Sequence, residues 1–433
     1  MLRALSYRNY RLFFGGQVVS LVGTWITTTA TNWLVYRLTH SALLLGVVGF
    51  AGQFPAFLLG PLAGIYVDRW NRHRLLVVTQ TVSMLQSFAL AVLTLSGHIT
   101  IHWIVALSIV QGVVNAFDMP GRQAFLLTMI ENRQDLGNAI ALNSSMVNVA
   151  RLVGPSVAGI LIAAASEGWC FLIDGFSYIA VIIALLRMRI VKTAPPTTTH
   201  HPIQQFREGF KYAFGFPPIR SIILLLALVS LVGVPYSVLM PIFATQIFHG
   251  GPHTLGFLMT ASGCGALLGA LWLAARRSVV GLGRVIPTAS ALFGAGLITF
   301  ALMRTSSTFW IALPCLTLAG FGFMVQMASS NTVIQTIVDD EKRGRVMSFY
   351  TMAFLGTVPF GSLIAGSLSS RIGAPNTLII GGVCCLVGAA FFARSLPTLR
   401  KYVRPIYIKL GIIPEVSSGL ATAAELSVPP ERN

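Results

Sequence analysis

Long apolar stretches of nearly uniform length recur along the whole chain and limit what it can fold into. A helix that crosses a bilayer needs about 20 mostly apolar residues, and this condition is met about twelve times. The predicted helices cover residues 12–36, 42–67, 75–96, 101–120, 141–165, 168–186, 220–246, 254–275, 285–303, 308–332, 347–370 and 376–393. Only 10% of the residues are charged, whereas soluble domains have roughly a quarter. The sequence therefore predicts an all-α membrane protein with twelve transmembrane helices.

The basic residues alternate between loops. Of the 30 Lys and Arg residues, all but Arg37, Arg151, Arg304 and Arg371 lie at the termini or in the even-numbered loops. Cytoplasmic loops carry such an excess, so we expect both termini in the cytoplasm and the chain in the cell (inner) membrane, within the lipid bilayer. The net charge of +17 is thus spread over many loops, which argues against a nucleic-acid partner.

Several catalytic motifs are absent. The sequence has no GxxxxGK[ST] phosphate loop, no HExxH and no CxxC pair, which excludes the corresponding ATPases, zinc proteases and redox enzymes. The five cysteines fall in apolar segments, where they behave as small hydrophobic residues. We expect no enzyme activity, no cofactor and no metal site.

The hydrophobic pattern divides the chain. Residues 1–190 and 220–395 are interpreted as two six-helix halves, residues 191–219 as a cytoplasmic linker and residues 396–433 as a flexible cytoplasmic tail. The halves echo each other weakly. GxxxG pairs at Gly60/Gly64 and Gly265/Gly269 predict close helix packing at corresponding places.

Five stretches carry a resemblance to a known family. They are Gly64-x3-Asp68-Arg69-x-Asn71-Arg72, RNYRLFFGGQVVSLVGTW (8–25), NAFDMPGRQAF (115–125), NVARLVGPSVAG (148–159) and RGRVMS (343–348). Through them the chain resembles the major facilitator superfamily, in particular its bacterial drug and siderophore exporters related to the enterobactin exporter. The resemblance implies two pseudo-symmetric halves around a central small-molecule site, alternating access and a monomer.

The charge motif implies a conformational latch. In proteins that look like this, the acid at Asp68 caps a helix of the opposite half and neighbouring arginines clamp it. The latch residues are Gly64, Asp68, Arg69, Arg72, Arg74 and Asp118. The alternative is that the arginines are only positive-inside anchors. Asn71 stands where Gly is usual, and Asn tolerates turn geometry nearly as well.

Three ionisable residues inside predicted helices are candidates for coupling. Asp118 lies about 26 Å into helix four, so by resemblance it pairs near Arg72, although a polar stripe around it also fits a proton carrier. Arg151 lies near the bilayer centre, where a charge needs a partner, and Asp174 is the nearest by sequence. That pair is either structural within the first half or functional.

Polar stripes predict the cavity walls, because polar faces within lipid must meet protein or water. The first wall comes from helices one and four and the second, softer wall from helices seven and ten. The cavity candidates are Gln17, Thr24, Thr27, Thr31, Asn32, Gln111, Asn115, Tyr236, Met324, Gln326, Met327 and Asn331. Ordinary helix packing is the alternative for each of them.

Helix five contains Gly154, Pro155 and Gly159, similar to the antiporter motif of exporters, where small residues permit close helix approach. Together these features predict a secondary active transporter that exports small amphipathic molecules, of the drug or siderophore class, by proton antiport. The alternatives are an importer of a small nutrient on the same fold, and a membrane receptor or scaffold without transport.

Overall fold

The computed structural model describes residues 3–126, 128–130, 132, 135–188, 202–276 and 278–413. For residues 61, 62, 64, 65, 68, 69, 202–206, 340 and 341 it describes the backbone alone. The described chain is almost entirely helical. The helices are α1 (Arg8–Thr39), α2 (Ala42–Arg69), α3 (Arg72–Leu95), α4 (Ile101–Leu126), α5 (Leu136–Ala164), α6 (Glu167–Leu186), α7 (Pro202–Gly215), α8 (Pro217–Val232), α9 (Tyr236–Ile242), α10 (Pro252–Ala274), α11 (Leu282–Leu302), α12 (Phe309–Ile337), α13 (Asp340–Leu355), α14 (Val358–Ile372) and α15 (Ala374–Lys409).

The predicted twelve-span arrangement is confirmed. Eleven spans are long and apolar enough to cross a membrane among the described residues. The twelfth is α1, whose 32 residues extend about 48 Å at 1.5 Å per residue. Its many Thr, Ser, Gln and Asn residues lower its hydropathy. Because twelve is even, both chain ends lie at one side of the bundle, called here the terminal side, and the opposite side is the distal side.

Two spans are broken where a glycine and a proline come together. The seventh span consists of α8 and α9, separated at Gly233 and Pro235, and it ends in a π-helical turn, Phe243–Ile247. The eleventh consists of α13 and α14, separated at Gly356 and followed by Pro359. Proline lacks the N–H for the helical hydrogen bond and clashes with the carbonyl four residues earlier. A Cβ on Gly361 would lie 2.7 Å from Pro235 Cγ, so the two breaks pack against each other.

The ends of α3 and α15 depart from the predicted bounds. The Asn71 side chain accepts a hydrogen bond from the Arg74 backbone N–H at 3.1 Å, so Asn71 caps the start of α3. The helix α15 continues to Lys409, well past the predicted boundary at residue 395. Its basic, solvent-compatible final turns lie outside the apolar window that hydropathy detects. The rest of the predicted tail, residues 414–433, lies outside the described residues.

The two halves consist of α1 to α6 and of α8 to α15. Within the first half, α1 packs against α5 and α6, and α3 packs against α4 and α6. Within the second, α12 packs against α10 and α11, and α11 against α15. The halves meet along two seams, α5 against α10 and α2 against α14. The helix α7 lies within the predicted linker and packs on α13.

Candidate functional site

Glycines allow the halves to meet closely at the distal side. A Cβ on Gly159 of α5 would lie 3.1 Å from the Gly256 Cα of α10, and a Cβ on Gly366 of α14 would lie 2.9 Å from the Gly46 Cα of α2. Each glycine is four to six residues from the distal end of its helix, hence about 6–9 Å deep. The two seams are therefore related in position and in chemistry, and both bring backbones together where a side chain would not fit.

The α5–α10 seam continues inward to Arg151. Ser156 and Thr260 share a hydrogen bond of 2.5 Å between the halves, and a Cβ on Gly263 would lie 3.1 Å from the Arg151 carbonyl oxygen. The Arg151 guanidinium carbon lies 5.6 Å from the ring centroid of Trp25 on α1 and 5.9 Å from that of Phe323 on α12. Such distances permit cation–π attraction. One cation thus contacts an aromatic ring from each half.

All three residues lie at the same depth. Trp25 and Phe323 are each 14 residues from the distal ends of their helices, and Arg151 is 13 residues from its own, which places them about 20 Å below the distal side. The midplane position predicted for Arg151 agrees with this geometry. The expected partner, however, is wrong. Among the described residues no ion pair joins Arg151 to Asp174, because the latter faces the inside of the first half.

Asp174 is buried, with 1% of its surface exposed. Its carboxylate accepts hydrogen bonds from Ser87 of α3 at 2.9 Å and from Ser177 of α6 at 3.4 Å. The Thr27 hydroxyl of α1 also faces it, and a Cβ on Gly23 would lie 2.5 Å from Oδ1. Three helices thus enclose this carboxyl.

A polar stripe on α3 joins the surroundings of Asp174 to those of Asp118, and sequence analysis missed it. The stripe consists of five buried residues, Thr79, Gln80, Ser83, Gln86 and Ser87. Thr79, Ser83 and Ser87 recur every four residues, which places them on one helix face. This periodicity was available in the sequence, but the apolar residues between them hid it.

Asp118 is also buried and lies at the terminal end of this stripe. Its carboxylate accepts hydrogen bonds from Thr79 at 2.9 Å and Gln80 at 2.8 Å. It forms an ion pair of 2.5 Å with Arg122, one turn further along α4. From the sequence, Arg122 is counted only among the basic loop residues, and its pair with Asp118 is not predicted. A spacing of four residues on a helix brings opposite charges together.

Several residues of the predicted first wall face other helices of the first half. Thr24 lies 3.5 Å from the Tyr178 hydroxyl of α6, and Thr27 faces Asp174. Gln111 donates to Ser83 at 3.3 Å and to Asn115 at 3.2 Å. These contacts direct Thr24, Thr27 and Gln111 to other helices of the first half, because helix periodicity identifies a polar face but not the helix that it meets. The cavity assignment as a whole stays a prediction. Of the other candidates, Gln17 is buried, and Thr31 and Asn32 are half-buried.

Three residues of the predicted second wall also contact other residues of their own half. Tyr236 forms a short hydrogen bond with Ser262 of α10, and Met324 packs beside Gly269 of the same helix. Gln326 donates to Ser330. The Met327 carbonyl accepts from Tyr350 at 2.8 Å, and Asn331 accepts from Gln335. Tyr236, Met324 and Gln326 therefore pack within the second half, whereas the contacts of Met327 and Asn331 leave their cavity role a prediction. Phe323, which was not predicted, is the α12 residue that reaches Arg151.

A second cross-half contact is aromatic and was also missed. Phe50, Phe54 and Phe57 of α2 surround Phe360 of α14, with ring centroids 5.8, 6.0 and 5.8 Å from that of Phe360. Spacings of four and three place the three rings on one face of α2. The cluster continues the α2–α14 seam towards mid-depth, so both seams end in aromatic side chains.

The helix-five motif has two packing roles. A Cβ on Gly154 would overlap Trp25 of α1, and one on Gly256 would lie 2.9 Å from the Pro155 carbonyl oxygen. The motif therefore holds α5 against both α1 and α10. At Gly60 a Cβ would meet no atom of the described residues within 4 Å, so the packing predicted for the Gly60/Gly64 pair is not seen there, whereas Gly265 and Gly269 pack closely on α12.

The latch region is described in part. Arg72 donates to the Ala124 carbonyl at 3.5 Å, and Arg74 is exposed. The described partners of Asp118 are Thr79, Gln80 and Arg122, within the first half. The side chains of Asp68 and Arg69, and the surroundings of Gly64, lie outside the described residues, so the latch stays a prediction.

Comparison with known proteins agrees with this architecture. A family model described as Transmembrane secretion effector matches residues 2–403. The chain is 28% identical over 387 residues to the Staphyloferrin A transporter of Staphylococcus aureus (strain NCTC 8325 / PS 47), covering 88% of this chain and 95% of that protein. It is 21% identical over 384 residues to Macrolide efflux protein A of Streptococcus pyogenes, covering 87% and 94%.

A solved structure shares the fold. It is a bacterial homologue of the human lysosomal transporter Spinster, with a TM-score of 0.69 and 15% sequence identity over 91% of this chain and 98% of that one. The predicted resemblance to drug and siderophore efflux proteins is confirmed by the family match and by the two relatives. The chain is a membrane transporter rather than an enzyme, and it belongs to the Transmembrane secretion effector family of the major facilitator superfamily.

Proposed function

We propose that this protein exports small amphipathic molecules of the siderophore or drug class from the cytoplasm, in exchange for protons, by alternating access. The relatives support the substrate class, since one is named for a siderophore and the other for macrolides. The excess of Lys and Arg at the terminal side supports a position in the cell inner membrane with both termini in the cytoplasm.

The observation that carries the proposal is the position of Arg151. It lies at mid-depth, between a ring of each half, below seams that are closed at the distal side. If the two halves rock about a site that lies between them, the site opens first to one side of the membrane and then to the other. In this proposal, closed distal glycine seams belong to the state whose site opens towards the cytoplasm.

The chemistry of this region fits an amphipathic substrate. The rings of Trp25, Phe323 and the Phe360 cluster offer apolar and stacking surface, and the Arg151 guanidinium can bind a carboxylate or catecholate in bidentate geometry. A substrate that inserts between Arg151 and Phe323 replaces a contact between the halves. Binding would then favour their separation.

Two groups of residues support coupling and gating. Asp118 and Asp174 are buried acids inside the membrane region, where ionisable groups are characteristic of proton pathways. Asp68 is proposed, by resemblance, to latch the cytoplasmic side when it closes. Asp68→Asn is expected to slow turnover strongly and to leave substrate binding largely intact.

An importer on the same fold is the second candidate. The close approach of α5 to α10 through Gly159 and Gly256 resembles the packing expected for the exporter motif of helix five, and it favours export over import. The direction of net transport distinguishes the two candidates.

The experiment that tests the proposal uses inside-out vesicles energised to an acid interior. Erythromycin, staphyloferrin A, ethidium and a sugar are added singly, and uptake and proton release are measured for the wild type, Arg151→Lys and Arg151→Met. We expect uptake of at least one amphipathic compound with collapse of the gradient, about a tenfold loss in Arg151→Met and a smaller loss in Arg151→Lys, because one cation–π or bidentate contact contributes about 1–2 kcal/mol. Uptake of the sugar alone would favour the importer, and normal transport by Arg151→Met would remove Arg151 from the site.

A further inference from the structure

The positions of the Asp and Glu residues limit which carboxyls can bind a proton within the membrane. No Asp or Glu occurs between residues 217 and 338 or between residues 342 and 414, so the second half has its carboxyls only at residues 339–341, at the terminal start of α13, and in the tail after residue 414. In the first half, Asp118, Glu167 and Asp174 are buried. Any carboxyl that binds a proton inside the bundle therefore belongs to the first half.

These three carboxyls lie in one column. Glu167 is at the distal start of α6 and Asp174 is seven residues further along the same helix, which is two turns and hence the same face. Asp174 bonds to Ser87, and eight residues of α3, about 12 Å, separate Ser87 from Thr79, which bonds to Asp118. Ser83 lies midway between them on the same face. Hydroxyls one turn apart thus connect Asp174 to Asp118.

Each end of the column is a carboxylate paired with a partly exposed arginine. On the distal side, Glu167 forms two hydrogen bonds with Arg37, at 2.7 and 3.2 Å, and Arg37 is half-exposed. Arg37 also lines a cavity of about 200 Å³ between α1 and the π-helical turn. On the terminal side, Asp118 pairs with Arg122, of which 25% is exposed. Both ends of the column therefore carry a carboxylate that is neutralised by a partly exposed arginine.

Asp174, in the middle, differs from both ends. The groups that face it are Gly23 and Thr27 on α1, Ser87 on α3, and Ser177 and Tyr178 on α6. Among the described residues none of these groups is a cation, and Glu167 is already paired. A buried carboxylate without a cation costs several kcal/mol inside a membrane. Uptake of a proton removes that cost.

Polar atoms along the column have unused hydrogen-bonding capacity. The amide oxygens of Gln80 and Gln111, whose amide nitrogens bond to Asp118 and Ser83, are buried and accept no hydrogen bond from any described residue. Buried polar groups of this kind bind internal water. Water at these amides would bridge the one-turn gaps between the hydroxyls of α3.

We propose that Asp174 is the carboxyl that binds the transported proton, and that Ser87, Ser83 and Thr79 connect it to Asp118 and the terminal side. A proton from the distal side converts the Asp174 carboxylate to the neutral acid. It then passes along hydroxyls and water to the Asp118 carboxylate, which weakens the pair with Arg122, and leaves to water at the terminal side. The inference rests on the proposed proton coupling and deepens it, because the proton route runs inside the first half, apart from the substrate site at Arg151.

The first test needs no substrate. Infrared difference spectra of the purified protein are recorded between acid and alkaline buffer for the wild type, Asp174→Asn, Asp118→Asn, Ser87→Ala and Thr81→Val. Thr81 is the matched control, because it lies on α3 but bonds to the Val77 carbonyl of its own helix. We expect the carbonyl band of a protonated carboxyl, its loss in Asp174→Asn, its shift in Ser87→Ala, and no change in Thr81→Val. An unchanged band in Asp174→Asn would overturn the proposal.

The second test separates this inference from the proposed function. Inside-out vesicles are assayed with erythromycin and staphyloferrin A for proton release, and for exchange of labelled against unlabelled compound without a gradient. We expect Asp174→Asn to lose proton release at least tenfold and to keep exchange within about twofold. Equal loss of both would assign Asp174 a structural role and overturn the inference. Transport by the wild type without proton release would instead overturn the proposed coupling, and the proton route with it.

Discussion

Gly256 of α10 packs against α5 so closely that a Cβ on it would lie 3.2 Å from the Gly159 Cα and 2.9 Å from the Pro155 carbonyl oxygen. The same arrangement recurs at Gly46 and Gly366 on the other seam. Contacts between backbones are sensitive to a single added side chain, because neither partner can move aside without shifting its helix. The closed distal side therefore depends on these four glycines.

The first prediction follows from this contact. Gly256→Val inserts three carbons into the seam, and overpacking of this kind costs about 1–3 kcal/mol. Because 1.4 kcal/mol is a factor of ten, we expect the closed distal state to lose about tenfold or more in population, and transport to fall with it. Labelling of a cysteine placed at Ser156 by a membrane-impermeant reagent from the distal side measures this shift.

A matched control for this substitution is Gly15→Val. A Cβ on Gly15 would meet no atom of the described residues within 4 Å, and Gly15 lies on an exposed face of α1. We expect labelling and transport by this variant close to those of the wild type. Equal labelling of Gly256→Val and Gly15→Val would contradict the importance of the seam.

The second prediction concerns the Asp118–Arg122 pair. Asp118→Asn leaves the Arg122 charge a quarter exposed and without its carboxylate, so we expect a loss of about 2–3 kcal/mol, below the range for a fully buried pair. The double variant Asp118→Asn/Arg122→Gln removes both charges and should regain most of that stability. Thermal unfolding of the protein in detergent measures both effects. Additive losses in the double variant would mean that the pair does not contribute.

Sequence reasoning identified the spans because membrane insertion depends on local apolar content. It could not identify which spans break. Pro120, Pro155, Pro287 and Pro314 all lie inside continuous helices, whereas the spans at Pro235 and Pro359 are interrupted. At both breaks a glycine precedes the proline by two or three residues, and the breaks pack against each other. That contact joins segments more than a hundred residues apart.

The candidate site was predicted in part for a related reason. Periodicity correctly marks Thr24 and Thr27 as one polar face, but only the packing of α1 on α6 directs this face to Asp174 rather than to the cavity. The depth of Arg151 followed from helix length, yet its partners are the rings of Trp25 and Phe323 and not a carboxylate. Aromatic side chains carry no charge, so the charge pattern of the sequence does not identify them as partners of an arginine.

The third prediction concerns the docking of the linker helix α7. Phe349 of α13 lies against Phe210 and Phe214, with ring centroids 6.0 and 6.4 Å away, and Arg345 bonds to Glu208 at 2.7 Å. Truncating a buried Phe to Ala removes about 3 kcal/mol or more of packing energy. We expect Phe349→Ala to release α7 and to speed tryptic cleavage after Lys211 several-fold. Phe391→Ala, at an exposed position, should leave the cleavage rate unchanged.

The last prediction tests whether the α5–α10 seam opens during transport. Ser156 and Thr260 lie on opposite halves with their hydroxyl oxygens 2.5 Å apart, so cysteines at both positions are close enough for a disulfide in the closed distal state. The pair is placed in a chain whose five native cysteines are changed to alanine. Oxidation is expected to stop transport, and reduction to restore it, because a disulfide prevents the halves from separating at this point. Each single-cysteine variant should transport equally well before and after oxidation. Full transport by the cross-linked protein would mean that this seam stays closed throughout the cycle and that substrate leaves by another route.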